Sequence, residues 1–308
     1  MILAVIDCGT NTFNLLIVEV KNAAYTKLFN TRISVKLGEG SINKGYIDNE
    51  PFNRGVNALN EFKKLLVKFK VSKTLAYATS AIRDAKNGID FVNKIKLELG
   101  IDISIIDGNR EADLIYLGNK LAANIKDNLV LIMDIGGGST EFILANGNEI
   151  FWKQSFTLGA ARLIEKFNIS DVITLFEIDL INTYLHNELT PLFNAIKLFP
   201  SNELVGSSGA FDSIIEMIHG EFNGEPIAKE KNCYEVDLKE YRKIADLVIH
   251  SNLEQRKNIK GLIPMRVDMI VVSILLINFI LKSFSIHKLK VSTYSLKEGA
   301  VLDYIQNN

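Results

Sequence analysis

The segment Leu129-Val130-Leu131-Ile132-Met133-Asp134-Ile135-Gly136-Gly137-Gly138-Ser139-Thr140-Glu141-Phe142-Ile143-Leu144-Ala145 places two apolar, β-rich runs around a turn of glycines and small polar residues. It reads as strand, tight turn, strand. Three successive glycines cost conformational entropy. They make sense where the backbone must approach a ligand with no Cβ in the way. Peptide N–H groups in such a turn form an anion-binding nest. Asp134 and Glu141 flank the turn and would repel phosphate unless a cation bridged them. Both are hard oxygen ligands suited to Mg²⁺. The plain alternative is a glycine-rich hairpin turn with two solubilising acids.

A second segment has the same form: Ile2 to Asp7, then Cys8-Gly9-Thr10-Asn11-Thr12, then Phe13 to Val20. An Asp-Gly turn is common in hairpins, so Asp7, Gly9, Thr10 and Asn11 say little alone. As a pair, the two segments describe duplicated halves, each offering a phosphate-type turn to a cleft between them. Three further stretches carry weaker signals. Gly206-Ser207-Ser208-Gly209 leads from a strand into a helix, where free N–H groups and the dipole suit phosphate, or where Ser207 or Ser208 simply caps. Arg83, with Thr79 and Ser80, follows another strand and could grip phosphate in a bidentate fork, or pair with Asp84. Glu111 sits near a helix start and could take a proton from an attacking water, or merely complement the helix dipole.

Helical periodicity covers 52–69, 88–99, 111–121, 160–167, 175–196, 210–219, 238–250 and 267–282, and short strands are expected at 74–78, 101–106, 203–205 and 290–292. The segment from Gly220 to Cys233 is polar and reads as a loop. Strands interleaved with helices give an α/β architecture. The 267–282 helix is apolar but too short to span a bilayer, and it reads as core.

The chain has 308 residues, an apolar fraction of 47% and a formal charge of -1. No global basic field draws in nucleic acid or an anionic membrane, so neither is expected as a partner. The two cysteines, Cys8 and Cys233, form no disulfide framework or zinc motif. With no basic leader ahead of the apolar N-terminal run, a reducing cytoplasm is expected.

The motifs together resemble the exopolyphosphatase / guanosine pentaphosphate phosphohydrolase (Ppx/GppA) family of the sugar kinase–Hsp70–actin superfamily. Those that match, in the family's order, are Asp7 to Phe13, Ala78 to Ala85, Gly108 to Ala112, Asp134 to Glu141, Leu158 to Leu163, Gly206 to Gly209 and Gly261 to Asp268. The resemblance implies two ribonuclease H-like (actin-like ATPase) domains with an interdomain cleft. They are expected at 1–125 and 126–308, with residues from about 300 to 308 packing back on the first. It implies the short, two-domain form, with Mg²⁺ as cofactor. It implies inorganic polyphosphate or pppGpp as substrate, and leaves a homodimer open. Glu111 would activate water, and Asp134 and Glu141 would hold Mg²⁺ with Asp7 nearby. Gly9, Thr10, Asn11, Arg83, Gly137, Gly138, Ser139, Ser207 and Ser208 would hold phosphates.

Some positions depart from the family pattern. Arg110 replaces the first of two adjacent glutamates, Met265 replaces an acid beside Arg266, and Ser295 and Lys297 stand where Gly and Arg are common. The expected reaction is removal of a terminal phosphate by metal-assisted water attack. The rivals are a sugar kinase or actin-like ATPase, and a sensor that binds polyphosphate or ppGpp without turnover.

Overall fold

The computed structural model describes residues 1–223 and 231–308. The first half runs β1 (Ile2–Cys8), β2 (Thr12–Lys21), β3 (Ala24–Ser34), α1 (Asn49–Lys68), β4 (Lys73–Ala78), α2 (Ser80–Arg83), α3 (Gly88–Leu99), β5 (Ile103–Ile105) and α4 (Gly108–Ala122). The second runs β6 (Val130–Ile135), β7 (Thr140–Ala145), β8 (Ile150–Phe156), α5 (Ala160–Phe167), α6 (Leu175–Glu188), α7 (Thr190–Leu198), β9 (Glu203–Ser207) and α8 (Gly209–Ile218). It continues with β10 (Cys233–Val236), α9 (Leu238–Ile249), α10 (Leu253–Lys257), α11 (Ile270–Ser283), β11 (Lys288–Ser292) and α12 (Leu296–Gln306).

The two sheets repeat one plan. The first has strand order β3-β2-β1-β4-β5, and the second has β8-β7-β6-β9-β11 with β10 added at the far edge. In each, an antiparallel meander is followed by parallel strands reached through helices: β1 pairs with β4 and β4 with β5, as β6 pairs with β9 and β9 with β11. This duplicated order is that of two ribonuclease H-like units.

Strand periodicity decides which side chains meet in the middle. In β1, Ala4, Ile6 and Cys8 face an outer core under α1 and α3, while Leu3 and Val5 face a central core. In β6, Leu131, Met133 and Ile135 face the second outer core, while Val130 and Ile132 share the central one. Asp7 and Asp134 continue the inward-facing set of their strands. Glu141 does the same on β7, in step with Ile143 and Ala145. Two helices, α4 and α12, fill the central layer and pack on each other. Their approach is close: a Cβ on Gly299 would lie 1.7 Å from the Leu114 carbonyl oxygen, and one on Gly118 would lie 2.3 Å from that of Ser295.

Several elements differ from the sequence reading. The helix expected over 175–196 is two, because Pro191 lies in the first turn of α7. A proline there has no N–H to lose, whereas inside one continuous helix it would break a hydrogen bond and clash. The long apolar helix starts at Ile270, after a 3₁₀ turn at Pro264–Arg266. It is core: nine of its residues are buried, Ile270 to Ile277 and Ile280. The loop expected from Gly220 to Cys233 begins within a helical turn, His219–Asn223, and residues 224–230 lie outside the described residues. Strands β3, β8 and β10 and helices α2, α10 and α12 have no counterpart in the sequence reading. Among the described residues no helix is long and apolar enough to cross a membrane.

Candidate active site

A cleft of about 1150 Å³ is lined by the turn after β1, the turn after β6, the start of α4 and the start of α8. The two glycine turns face each other across it. A Cβ on Gly137 would lie 2.8 Å from Asn11 Nδ2, and one on Gly138 would lie 2.6 Å from Thr10 Oγ1 and 2.5 Å from Ser80 Oγ. Here the missing side chains are a steric requirement.

The turn after β6 also has a fixed polarity. The carbonyls of Gly136 and Gly137 accept hydrogen bonds from Ala160 N and Ala161 N at the start of α5. The carbonyl of Gly138 accepts from Arg162 Nε at 2.8 Å. Among the described residues the peptides are trans, so each N–H points opposite the carbonyl of the preceding residue. The N–H groups of Gly137, Gly138 and Ser139 are therefore turned away from α5.

Among the described residues seven carboxyls line this cleft, and four of them, Asp7, Glu111, Asp134 and Glu141, are those singled out in the sequence. Glu141 is opposite Asp134 in the β6–β7 ladder and opposite Ser155 in the β7–β8 ladder, and Ser155 Oγ donates to it at 2.6 Å. Asp134 Oδ2 accepts from Ser207 Oγ at 2.6 Å and Ser295 Oγ at 2.5 Å. Asp7 Oδ2 accepts from its cross-strand neighbour Asn14 at 2.9 Å. Glu111 Oε2 accepts from Arg83 at 2.8 Å. Its helix is started by Asp107, whose side chain accepts from Arg110 N at 2.7 Å.

Burial dominates the electrostatics. Desolvation, then the charge of Asp134, pushes Glu141 up to about 7 against hydrogen bonds from Ser155 and Ser139. Desolvation pushes Asp7 up to about 6 against Asn14 and Lys297. Asp134 is raised by burial despite its serine donors. Glu111 is raised well above the carboxylate range by burial and by Glu141, with Arg83 opposing. Acids crowded and desolvated in a cleft are the usual mark of a reactive site.

Among the described residues no three His, Cys, Asp or Glu side chains form a ready-made cage for a cation. The donor set is all hard oxygen, with two adjacent strands supplying Asp134 and Glu141. It fits an ion held by one or two carboxylates and completed by phosphate oxygens and water, the usual mode of Mg²⁺.

Most of the residues singled out in the sequence meet here. Asp7, Gly9, Thr10, Asn11, Glu111, Asp134, Gly137, Gly138, Ser139, Glu141 and Ser208 all line the cleft. Arg83 and Ser207 stand behind the wall, where Arg83 binds Glu111 and the Ile106 carbonyl and Ser207 binds Asp134. Arg110 points away, paired with Asp303 on α12 at 2.5 Å.

Three residues that the sequence reading names without a site role also contribute. Ser295 reaches Asp134 from the start of α12. Lys297 lines the cleft one residue pair on; burial opposes its charge, but Glu298 at 3.2 Å, with Asp212 and Asp7 near, holds its pKa above the ordinary value. Arg266 also lines the cleft, and its pKa is lowered by burial and by Arg32. A signal for α12 was present: Ser295-Leu296-Lys297-Glu298 has the S-x-x-E form of a capping box, and Glu298 accepts from Ser295 N at 3.0 Å.

The Ppx/GppA phosphatase family profile matches residues 16–308. The chain belongs to the Ppx/GppA phosphatase family. A crystal structure of an exopolyphosphatase from Cytophaga hutchinsonii is 38% identical, covers 100% of this chain and 98% of its own, and superposes with a TM-score of 0.97. The Ppx/GppA family member of Aquifex aeolicus is 26% identical, covers 100% of this chain and 98% of its own, with a TM-score of 0.81. Exopolyphosphatase 1 of Mycobacterium tuberculosis is 24% identical over 98% of this chain and 88% of its own length. A bifunctional 3-dehydroquinate synthase/phosphatase of Fusobacterium nucleatum is 28% identical over 99% of this chain, which spans 46% of that longer protein. These two crystal structures thus share the two-unit α/β fold of this chain.

Proposed function

We propose that this Ppx/GppA member is an exopolyphosphatase, releasing terminal phosphate from inorganic polyphosphate by water attack. One observation carries the reading: two glycine turns from duplicated sheets face each other over a cluster of buried carboxyls. The similarity to named exopolyphosphatases supports it.

Each group has a task in this reading. The N–H groups of Gly137, Gly138 and Ser139, with the turn Gly9 to Asn11, would hold the terminal phosphoryl group. Glu111 would accept the proton of the attacking water. Arg83 would hold Glu111 in place. Ser208 would meet a further phosphate at the start of α8. Asp134 and Glu141, with Asp7 beside them, would hold Mg²⁺, which when bound neutralises charge on the phosphoryl oxygens. Positioning and preorganised charge would supply most of the rate. The two cysteines are free, which supports a reducing, cytoplasmic setting.

The test is phosphate release with Mg²⁺ from tripolyphosphate, long-chain polyphosphate, pppGpp and ATP in parallel, with Glu111→Gln as the blank. Release from polyphosphate that disappears in the variant is expected. Faster release from pppGpp than from any polyphosphate would assign the chain to the nucleotide instead. Release from none of the four would reject the reading.

A further inference from the structure

Arg162, in the first turn of α5, spends its guanidinium on four acceptors in three separate pieces of chain. Its Nε donates to the Gly138 carbonyl at 2.8 Å, within the second glycine turn. One terminal nitrogen donates to the Ile42 carbonyl at 2.9 Å, in the 3₁₀ turn Ile42–Lys44. The other donates to Asp84 Oδ2 at 2.6 Å and Ser80 Oγ at 3.4 Å, at α2. Gly138 belongs to the second sheet's unit, and the remaining acceptors belong to the first. The side chain is only 12% exposed. Lysine has no planar fork and could not make this set of bonds.

Two neighbouring contacts make the junction reciprocal. Glu165, on the next turn of α5, accepts from Ile42 N at 3.2 Å and Asn43 N at 3.3 Å. Asn43 Nδ2 donates back to the Arg162 carbonyl at 3.1 Å. On the other side, Asp84 divides its carboxylate. Oδ2 receives Arg162, while Oδ1 receives Arg83 Nε at 3.3 Å, and Arg83 donates in turn to Glu111 at 2.8 Å. A continuous run of charged pairs, Arg162–Asp84–Arg83–Glu111, thus joins the second glycine turn to the candidate base.

We propose that Arg162 is a positioning residue for the reaction. It clamps the second glycine turn across the cleft onto Ser80, Asp84 and the Ile42–Lys44 turn, and through Asp84 it keeps Arg83 on Glu111. This rests on the exopolyphosphatase reading for its kinetic consequence, though not for the clamp itself. Without Arg162, Asp84 is left with Arg83 as its one charged partner, and Arg83 is drawn toward it and away from Glu111. The phosphate turns and the base then lose their common frame. A displacement of about 1 Å at such a frame costs on the order of 10²-fold in rate.

The experiment pairs kinetics with site-resolved amide exchange in the full chain. In tripolyphosphate hydrolysis, Arg162→Ala is expected to lower kcat by about 10²-fold while KM moves much less. Arg162→Lys should fail to rescue it. The double variant Arg162→Ala/Asp84→Asn should be no slower than Arg162→Ala alone, since both remove one coupled path. Exchange at Ile42 and Asn43 should speed up in Arg162→Ala, and also in Glu165→Ala, a variant that leaves the guanidinium in place. Full rescue by lysine, additive losses in the double variant, or unchanged exchange at Ile42 and Asn43 would each overturn the proposal. If the wild-type chain releases no phosphate, the function fails by itself; the clamp is then upheld by faster exchange at Ile42 and Asn43 and refuted by its absence.

Discussion

Asp134 and Glu141 stand directly opposite each other on β6 and β7, so two carboxyls occupy a cross-strand pair on a buried face. Like charges in that arrangement destabilise a sheet. The fold accepts the repulsion at the one place where a bridging cation and a polyanion would meet. Serine hydroxyls bind both carboxyls, Ser207 and Ser295 on Asp134 and Ser155 and Ser139 on Glu141, but hydroxyl donors do not cancel the charge.

Burial of Glu141, with the charge of Asp134 second, makes stability depend on pH. Glu141 is raised from 4.5 to about 7, so the folded state holds this proton more tightly than the unfolded chain. The stability it contributes is fully present below pH 4.5 and is lost as pH rises through 7. The lost contribution is roughly 3 kcal/mol at most, from about 1.4 kcal/mol per unit. In chelator, the melting temperature of the wild type should therefore fall between pH 5 and pH 8. Glu141→Gln should flatten the curve and raise the melting temperature at pH 8 while losing activity. A wild-type melting profile level across this window would count against the raised pKa.

Glu111→Gln tests the base. It keeps the side-chain volume and a polar contact to Arg83 but removes the proton acceptor. The expected loss in kcat is about 10²–10⁴-fold, with KM for tripolyphosphate nearly unchanged. Steady-state phosphate release decides it, and wild-type turnover in the variant would remove Glu111 from the role.

Gly138→Ala tests the facing turns. Its Cβ would sit 2.5 Å from Ser80 Oγ and 2.6 Å from Thr10 Oγ1, inside contact distance of both. Overpacking of this kind costs about 1–3 kcal/mol, and the turns must part to relieve it. The variant should melt lower and show a raised KM for tripolyphosphate. An unchanged KM would mean that the spacing of the turns does not matter to substrate.

The residues differ in how plainly the sequence shows their place. Apolar runs and the turn residues between them are local, so the hairpins around Gly9 and Gly137 could be read directly; these strands are apolar on both faces, so the direction of Asp7, Asp134 and Glu141 could not. The α6 start was equally local: Thr174 and Glu177 form a capping box, with Glu177 held down to about 2 by the N–H groups of Thr174 and Ser170. Pro191 punctuates the region after it, yet apolar spacing runs on through it, and the break was missed. Long-range partners were the harder part. Arg83 next to Asp84 gave no sign of Glu111, 28 positions on, and Ser295 gave none of Asp134, 161 positions away. Strand β3 alternates only partly, since its buried contacts are few, and α12 opens with the polar run Lys297-Glu298 that hides its buried Leu296, Ala300 and Val301.

Ser295 also supplies a test of the proposed cation site. The hydroxyl here gives Asp134 Oδ2 a second donor besides Ser207. Both donors lie on the same oxygen and orient the carboxylate. Groups that orient a metal-binding carboxylate typically contribute about 10–100-fold to metal affinity. Ser295→Ala should therefore raise the Mg²⁺ concentration for half-maximal phosphate release, and shrink the rise in melting temperature that a fixed Mg²⁺ concentration produces. Turnover at saturating Mg²⁺ should stay near wild type, because Ser207 still holds the carboxylate. If the Mg²⁺ requirement does not move while turnover falls, Ser295 acts on substrate or on α12 packing, and its bond to Asp134 has no part in holding the cation.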